Sequence, residues 1–233
     1  MIGIVGAMQV EIEGLVQKIK KPKIKIIGAL SFVSGVIGAS KVVVVKCGIG
    51  KVNSATATSV MLMAFKDIKL VINLGVAGGL DNSLFQGDFV VGSSCIQHDF
   101  DLTVEGLKMG QLAGCESREF LCCNVAISKM QMVLDGLDFR YKIGTIVSGD
   151  QFIACDQKTA WLRSEFEALA CDMESASIAQ VCSSFNMPFI SVRSISDGAT
   201  DDAFLDFAQF AVIASERSIS AVEKFLLNNN SKI

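Results

Sequence analysis

Histidine is almost absent: His98 is the only one in 233 residues. That removes Ser-His-Asp triads and multi-histidine zinc sites, unless His98 is itself the base. It lies in Gln97-His98-Asp99-Phe100-Asp101, where a metal site with the two aspartates and a loop-ordering hydrogen bond are the competing readings. The second is favoured, so no metal and no cofactor are expected. Proline is nearly as scarce, with two residues, in a chain that is 51% hydrophobic. So apolar a composition indicates a large core and a hydrophobic oligomer interface. No run approaches the roughly 18 uninterrupted apolar residues of a membrane helix, so no membrane partner is expected. There is no surplus of positive charge either: 21 basic residues face 24 acidic ones, interspersed, for a net charge of −3. Nothing here attracts a phosphate backbone, and nucleic acid is not expected as a partner. No C-x-x-C occurs among the eight cysteines, and Cys122-Cys123 are adjacent, which suits neither zinc nor an ordinary disulfide scaffold. Most lie in apolar segments, as buried free thiols do, and none has a histidine near it in sequence to support thiol catalysis. No basic leader precedes the first apolar run, which Glu11 and Glu13 interrupt, so a reducing cytoplasm is the expected location.

What the chain does contain is an alternation of short apolar strands with amphipathic helices. Met1 to Val5 reads as a strand buried on both faces, followed by a helix from about Gln9 to Lys20 that Pro22 ends. Ile24 to Ile37 reads as a hairpin and Lys41 to Lys46 as a further buried strand. Cys47-Gly48-Ile49-Gly50-Lys51 turns into a helix reaching about Phe65. It lacks the third glycine of a dinucleotide fingerprint and the G-K-[ST] of a P-loop, so a tight turn and a ligand-lining role both stay open. Strands follow at Leu70 to Leu74, ending in Gly75-Val76-Ala77-Gly78-Gly79, and at Asp88 to Ser94. Cys95 to Gly114 is aperiodic and too long to be only a connector. A helix at Asn124 to Leu137, a strand at Lys142 to Val147 and a helix at Gln157 to Ala168 come next, the last with Trp161, Leu162, Phe166 and Leu169 on its core face. The pattern closes with a helix at Glu174 to Phe185, a strand at Phe189 to Val192, a helix from Asp202 to Leu227 carrying Phe204, Phe207, Val212 and Ile213, and a frayed end from Asn228 to Ile233. This is the signature of a three-layer α/β/α sandwich around a central mixed, largely parallel twisted sheet, with residues 1–233 forming one domain.

With histidine and cysteine chemistry unsupported, carboxylates remain. Glu11, Glu174 and Asp197 each sit where a strand or turn meets a helix start, with Arg193 near Asp197 in sequence. One such carboxylate could be a helix N-terminal charge, but three beside an arginine suggest acid and base work on a small polar ligand. Paired carboxylates are the usual equipment for cleaving a glycosidic bond through an oxocarbenium-like state. The residues alone lead to a hydrolytic or transfer enzyme and no further.

Six stretches in order carry a resemblance: Gly3-Ile4-Val5-Gly6-Ala7-Met8 with Glu11, Gly48-Ile49-Gly50-Lys51-Val52, Gly75-Val76-Ala77-Gly78-Gly79, Ser148-Gly149-Asp150-Gln151-Phe152, Met173-Glu174 and Arg193-Ser194-Ile195-Ser196-Asp197. From Ile2 to about Leu226 the chain resembles the bacterial 5′-methylthioadenosine/S-adenosylhomocysteine nucleosidases of the purine nucleoside phosphorylase superfamily. The resemblance implies release of adenine from those two nucleosides, with 5′-deoxyadenosine a further candidate substrate and methionine salvage the setting. Asp197, helped by Ser196, would protonate adenine at N7, and Glu11, with Arg193 nearby, would deprotonate the attacking water. Glu174 would hold the ribose hydroxyls with Met173 against the sugar, and Phe152 would stack on adenine beside the Ile153 backbone. Met8, Ile49 and Phe207 would line the 5′ pocket, and Val76, Ala77, Gly78 and Asp172 would complete the substrate site. Related phosphorylases hold phosphate partly with an arginine and a serine on the stretch matching Asn73 to Gly78. Asn73 and Val76 are no anion clamp, which favours water over a phosphate-dependent purine nucleoside phosphorylase. A non-catalytic nucleoside-binding protein is the remaining alternative. The family is homodimeric, with a loop reaching the neighbour's site, here Leu102 to Ala113. That loop departs from the family's aromatic, proline-bearing pattern at Glu105, Leu107 and Ala113, so either it swings outward or the pocket admits a larger polar 5′ group.

Overall fold

The computed structural model describes residues 1–228. Its elements run β1 (Ile2–Gly6), α1 (Gln9–Val16), β2 (Lys20–Ile27), β3 (Leu30–Ile37), β4 (Ser40–Lys46) and α2 (Lys51–Ala64). There follow β5 (Leu70–Gly79), β6 (Phe89–Gln97), a 3₁₀ turn at Thr103–Glu105, β7 (Phe120–Leu121), α3 (Asn124–Gly136) and β8 (Tyr141–Ser148). The last third holds α4 (Asp156–Phe166), β9 (Ala168–Asp172), α5 (Ser175–Ser184), β10 (Phe189–Asp197) and α6 (Ala203–Asn228).

β1 is apolar and buried along its length, so it can lie only inside a sheet covered on both faces. It pairs in parallel with β4 and β5, and β3 and β2 continue from β4 as antiparallel hairpins. On the other side β5 pairs in parallel with β10, and β6–β8 and β8–β9 are parallel too. β10 runs antiparallel to β6, and the end of β5 antiparallel to β9. The mixed sheet therefore closes on itself through β5, β10, β6, β8 and β9, while β1, β4, β3 and β2 extend as an open wing. α1 and α3 pack on α6, and α2 packs on α5, which gives the expected three layers. Ile4, Val44, Ile72, Leu74 and Val192 lie in the main core, and Leu80, Ile96, Leu162 and Phe166 form a smaller one under α4.

The differences from expectation have local causes. α1 ends at Val16, and Lys20 opens an exposed edge strand that tolerates Pro22 because an edge N–H need not be donated to a neighbour. β5 and β10 do not stop at Leu74 and Val192: they stay paired through Gly78 and Asp197, because their small and polar residues find partners inside the fold. The helix expected over Gln157 to Ala168 ends at Phe166 and β9 begins at Ala168, so Leu169 belongs to a strand, and the buried face of α4 is Thr159, Leu162 and Phe166. On α6 the large side chains Phe204, Val212 and Ile213 are exposed, while Ala211, Ala214, Ser215 and Ser218 face inward. Of the end expected to fray, Asn228 to Ile233, Asn228 is the last residue of α6 and residues 229–233 lie outside the described ones. Cys47, Cys95, Cys122, Cys171 and Cys182 are buried free thiols, and Cys115 and Cys155 are exposed. No helix of the described residues is long and apolar enough to cross a membrane.

Candidate active site

Several strand ends deliver charged side chains to one buried place. Where β1 turns into α1, Glu11 folds back over the first turn and is 1% exposed. Its Oε2 accepts the N–H groups of Ala7 at 2.7 Å and Met8 at 2.8 Å. Its Oε1 accepts the Val76 N–H at 3.1 Å and lies 4.0 Å from Arg193 Nη1. Burial pushes its pKa up, against the pull of Arg193 and the three N–H donors. Oε1 keeps a lone pair free for a further donor.

Arg193, on β10, has no exposed surface. Its Nη2 lies 2.6 Å from Asp172 and 3.3 Å from Glu174. Burial works against the guanidinium's charge, but Asp172, Glu174 and Glu11 outweigh it and hold its pKa above the ordinary value. Asp172 ends β9, and its carboxylate is occupied within the protein. Oδ1 accepts Ser148 Oγ–H at 2.5 Å and the N–H groups of Glu174 and Ser175 at 3.2 and 3.1 Å. Oδ2 takes Ser175 Oγ–H and Arg193. Asn73 also belongs to this network, bonded to Ser175 Oγ at 2.9 Å, and it does not line the cavity. Glu174, at the N-terminus of α5, accepts the Gly50 N–H at 2.9 Å. Burial, reinforced by Asp172 and Glu11 and opposed by Arg193, raises its pKa to about 7.

Asp197 ends β10 and is 3% exposed. It accepts the Ala199 N–H at 2.9 Å and the Ser196 hydroxyl at 2.8 Å. Burial raises its pKa, those two bonds oppose the rise, and the Asp206 carboxylate adds to it. No cation stands among these influences, in contrast to Glu11 beside Arg193.

These groups open onto a cavity of about 590 Å³ including its mouth. Met8, Glu11 and Ile49 line it from the first half of the chain, and Val76, Ala77 and Gly78 from β5. Phe152 and Ile153 enter from the loop after β8, Asp172, Met173 and Glu174 from the end of β9, and Ser196 and Asp197 from β10. Phe207 on α6 meets Phe152 edge to face, with centroids 5.6 Å apart. All these expected residues therefore gather in one place, with Arg193 directly beneath them. Leu102, Glu105 and Ala113 do not: Glu105 and Ala113 are exposed, and none of the three lines the cavity of its own chain.

Sequence reasoning missed Ala7, Gln151 and Cys171 in the lining. Ala7 and Gln151 were visible inside the motifs, whereas Cys171 gave no signal. The loop-ordering hydrogen bond expected of His98 is not made. Its ring is buried and neither nitrogen has a partner among the described residues, and burial lowers its pKa. No group of three or more candidate metal ligands occurs among the described residues. Among the described residues, the lining holds four carboxyl groups and no lysine, arginine or histidine. Such a cavity can donate and accept protons and hold hydroxyl groups, but it would repel an anion.

A sequence model described as the phosphorylase superfamily matches residues 1–227. A Staphylococcus haemolyticus protein named 5′-methylthioadenosine/S-adenosylhomocysteine nucleosidase is 37% identical over 227 residues, covering 97% of this chain and 99% of its own. The Neisseria meningitidis enzyme of that name, crystallised with methylthio-immucillin-A, superposes with a TM-score of 0.94 at 33% identity, covering 97% of this chain and 98% of its own. The native futalosine hydrolase of Helicobacter pylori strain 26695 superposes with a TM-score of 0.92 at 31% identity, covering 96% of each chain.

Proposed function

The chain belongs to the phosphorylase superfamily, and from that premise we propose that it hydrolyses the N-glycosidic bond of 5′-methylthioadenosine and S-adenosylhomocysteine, releasing adenine and a 5-substituted ribose. Asp197 delivers a proton to N7 of the base, so that adenine leaves neutral rather than as an anion. Burial shifts its pKa upward, the direction that favours a carboxyl group holding that proton. Positive charge then builds on the ribose. Water hydrogen-bonded to the free lone pair of Glu11 Oε1 attacks the anomeric carbon and gives up its proton to Glu11. Glu174 accepts hydrogen bonds from the ribose hydroxyls, Met173 packs on the sugar, and Phe152 stacks on the base beside Ile153. Met8, Ile49 and Phe207 give the 5′ end apolar surroundings, which suit a thioalkyl group.

The observation that carries this reading is the charge of the lining. A phosphorylase must hold a phosphate dianion beside the sugar, and here such an anion would meet the carboxylates of Glu11, Asp172 and Glu174 and, among the described residues of the lining, no cation. Arg193, the nearest guanidinium, is already paired with Asp172 and Glu174. Adenine release from 5′-methylthioadenosine should therefore proceed at the same rate with and without inorganic phosphate, and a strict phosphate requirement would replace this reading with a phosphorylase. Extending the assay to a panel of 5′-substituted adenosines, with futalosine included, ranks the 5′ groups.

The proposal includes a single domain and a cytoplasmic homodimer working in methionine salvage. Exposed Ile49, Val52 and Phe152, on or beside the lining, support an apolar partner covering the mouth. The segment from Leu102 to Ala113, unused by its own cavity, is the candidate for that cover.

A further inference from the structure

Among the segments outside the sheet that line the cavity are the turn at Gly48-Ile49-Gly50, through Ile49, and the loop carrying Gln151, Phe152 and Ile153. Under the function proposed above, on which this inference rests, the loop faces the base and the turn faces the sugar and 5′ group. Their spacing must therefore match the nucleoside, and a ring of polar bonds just outside the cavity joins them. Asp150 Oδ1 accepts the Lys51 N–H at 2.7 Å. The Asp150 N–H donates to Asp99 Oδ2 at 3.0 Å, and Asp99 Oδ1 takes Lys51 Nζ at 2.6 Å. The ring closes on Lys51, the first residue of α2, through both its main chain and its side chain. Lys51 Nζ also donates to Gln97 Oε1 at 3.1 Å, which refers the assembly to the last residue of β6.

The α2 N-terminus explains why the ring forms there. Gly50 offers no capping side chain, so the first N–H groups of the helix need acceptors from elsewhere. Glu174 takes the Gly50 N–H and Asp150 takes the Lys51 N–H. Glycine at 50 is what admits Asp150, because a Cβ there would stand 2.9 Å from its Oδ1. The same helix start thus receives a carboxylate from the sugar side of the site and one from the base side. Asp99 then holds the second in register with Lys51, by a charge-assisted bond on one oxygen and a backbone bond on the other.

We propose that Asp99 is a positioning residue for the reaction, fixing the base-facing loop against the sugar-facing turn through Lys51 and Asp150. It touches no ligand itself, since it does not line the cavity. Its influence should therefore fall on molecules that span both segments and spare those that meet only one.

The test is the pair Asp99→Ala and Asp99→Asn, assayed with 5′-methylthioadenosine and with free adenine as a competing ligand. For Asp99→Ala, kcat/KM for the nucleoside should fall about 10- to 100-fold, mainly through KM, the size expected for losing a charge-assisted hydrogen bond. The inhibition constant of adenine, which meets only the base-facing loop and Asp197, should change by less than about 3-fold, within the scatter of a surface substitution. Asp99→Asn keeps an acceptor for the Asp150 N–H and should fall between wild type and alanine; it also carries the test if the alanine variant does not fold. Equal losses for nucleoside and adenine would overturn the proposal, since general damage to the site would do that. A second readout needs no activity: amide exchange at Lys51, whose N–H bonds to Asp150 and not to Asp99, should quicken at least about tenfold in the variants. Unchanged protection there would equally overturn it. If wild-type protein released no adenine, the proposed function would fall, while the exchange at Lys51 would still decide whether the ring couples the two segments.

Discussion

Replacing Asp197 with asparagine should lower kcat for adenine release by about 10²- to 10⁴-fold while leaving nucleoside affinity within about tenfold of wild type. Asparagine has the shape of aspartic acid and can accept the Ala199 N–H that Asp197 accepts at 2.9 Å. It cannot give up a proton to N7. Adenine would then have to leave as an anion into a cavity already lined by Glu11, Asp172 and Glu174. The loss therefore belongs in kcat, because the interaction removed strengthens only as the bond to the sugar breaks. Stopped assays of adenine release, with affinity measured by titrating a non-hydrolysable analogue, separate the two terms. Near-normal turnover in Asp197→Asn would remove Asp197 as the acid.

The second large effect is expected at a residue with no side chain. A Cβ added to Gly75 would stand 2.2 Å from Glu11 Oε1 and 2.3 Å from Arg193 Nη1. Both neighbours are rigid, Glu11 being held by three backbone N–H groups and Arg193 by Asp172 and Glu174. Gly75→Ala must push apart the base and the arginine that supports it, and φ is +153° there, a value L side chains rarely adopt. Activity should fall by at least about 10²-fold, since a misplacement of about 1 Å costs that much, and stability by about 1–3 kcal/mol from overpacking. Gly136→Ala, at a helical position with nothing within 4 Å of the added carbon, is the control: it should leave activity unchanged and should not lower stability. Activity in Gly75→Ala close to wild type would mean that Glu11 and Arg193 need not be juxtaposed.

How much of this was legible beforehand can be judged residue by residue. β1, β4 and α3 declare themselves, because continuous burial writes a run of apolar residues and one-sided burial writes a period near 3.6. The full lengths of β5 and β10 do not. Ser191, Arg193, Ser194 and Ser196 look like the departure from a strand, and only the buried network that receives some of them makes a continuing strand affordable. β9 is five residues, too short for its own pattern to separate it from the helix before it. The site was legible as a set of residues, since each motif contributes side chains to one cavity, but the division of labour among them was not. Asp172 lines the cavity as expected, yet its oxygens are engaged with Ser148, Ser175 and Arg193. Nothing in the sequence announces that Asp99, Asp150 and Lys51 meet, because that depends on three segments separated by about fifty residues each, brought together by the closure of the sheet.

The pH dependence of kcat/KM, in wild type and Ser196→Ala, bears most directly on the pairing of a protonated acid with an ionised base. Glu11 works ionised, so the rate should rise as pH climbs through its titration; Asp197 works protonated, so it should fall as pH climbs through its own. Burial raises both, and the bell should therefore lie above the ordinary carboxylate range of about 4. The Ser196 hydroxyl bond favours ionised Asp197, so its removal should carry the alkaline limb to higher pH and leave the acid limb in place. A rate that continues to climb into alkaline solution, with no limb for Ser196→Ala to move, would mean that no carboxyl group delivers the proton.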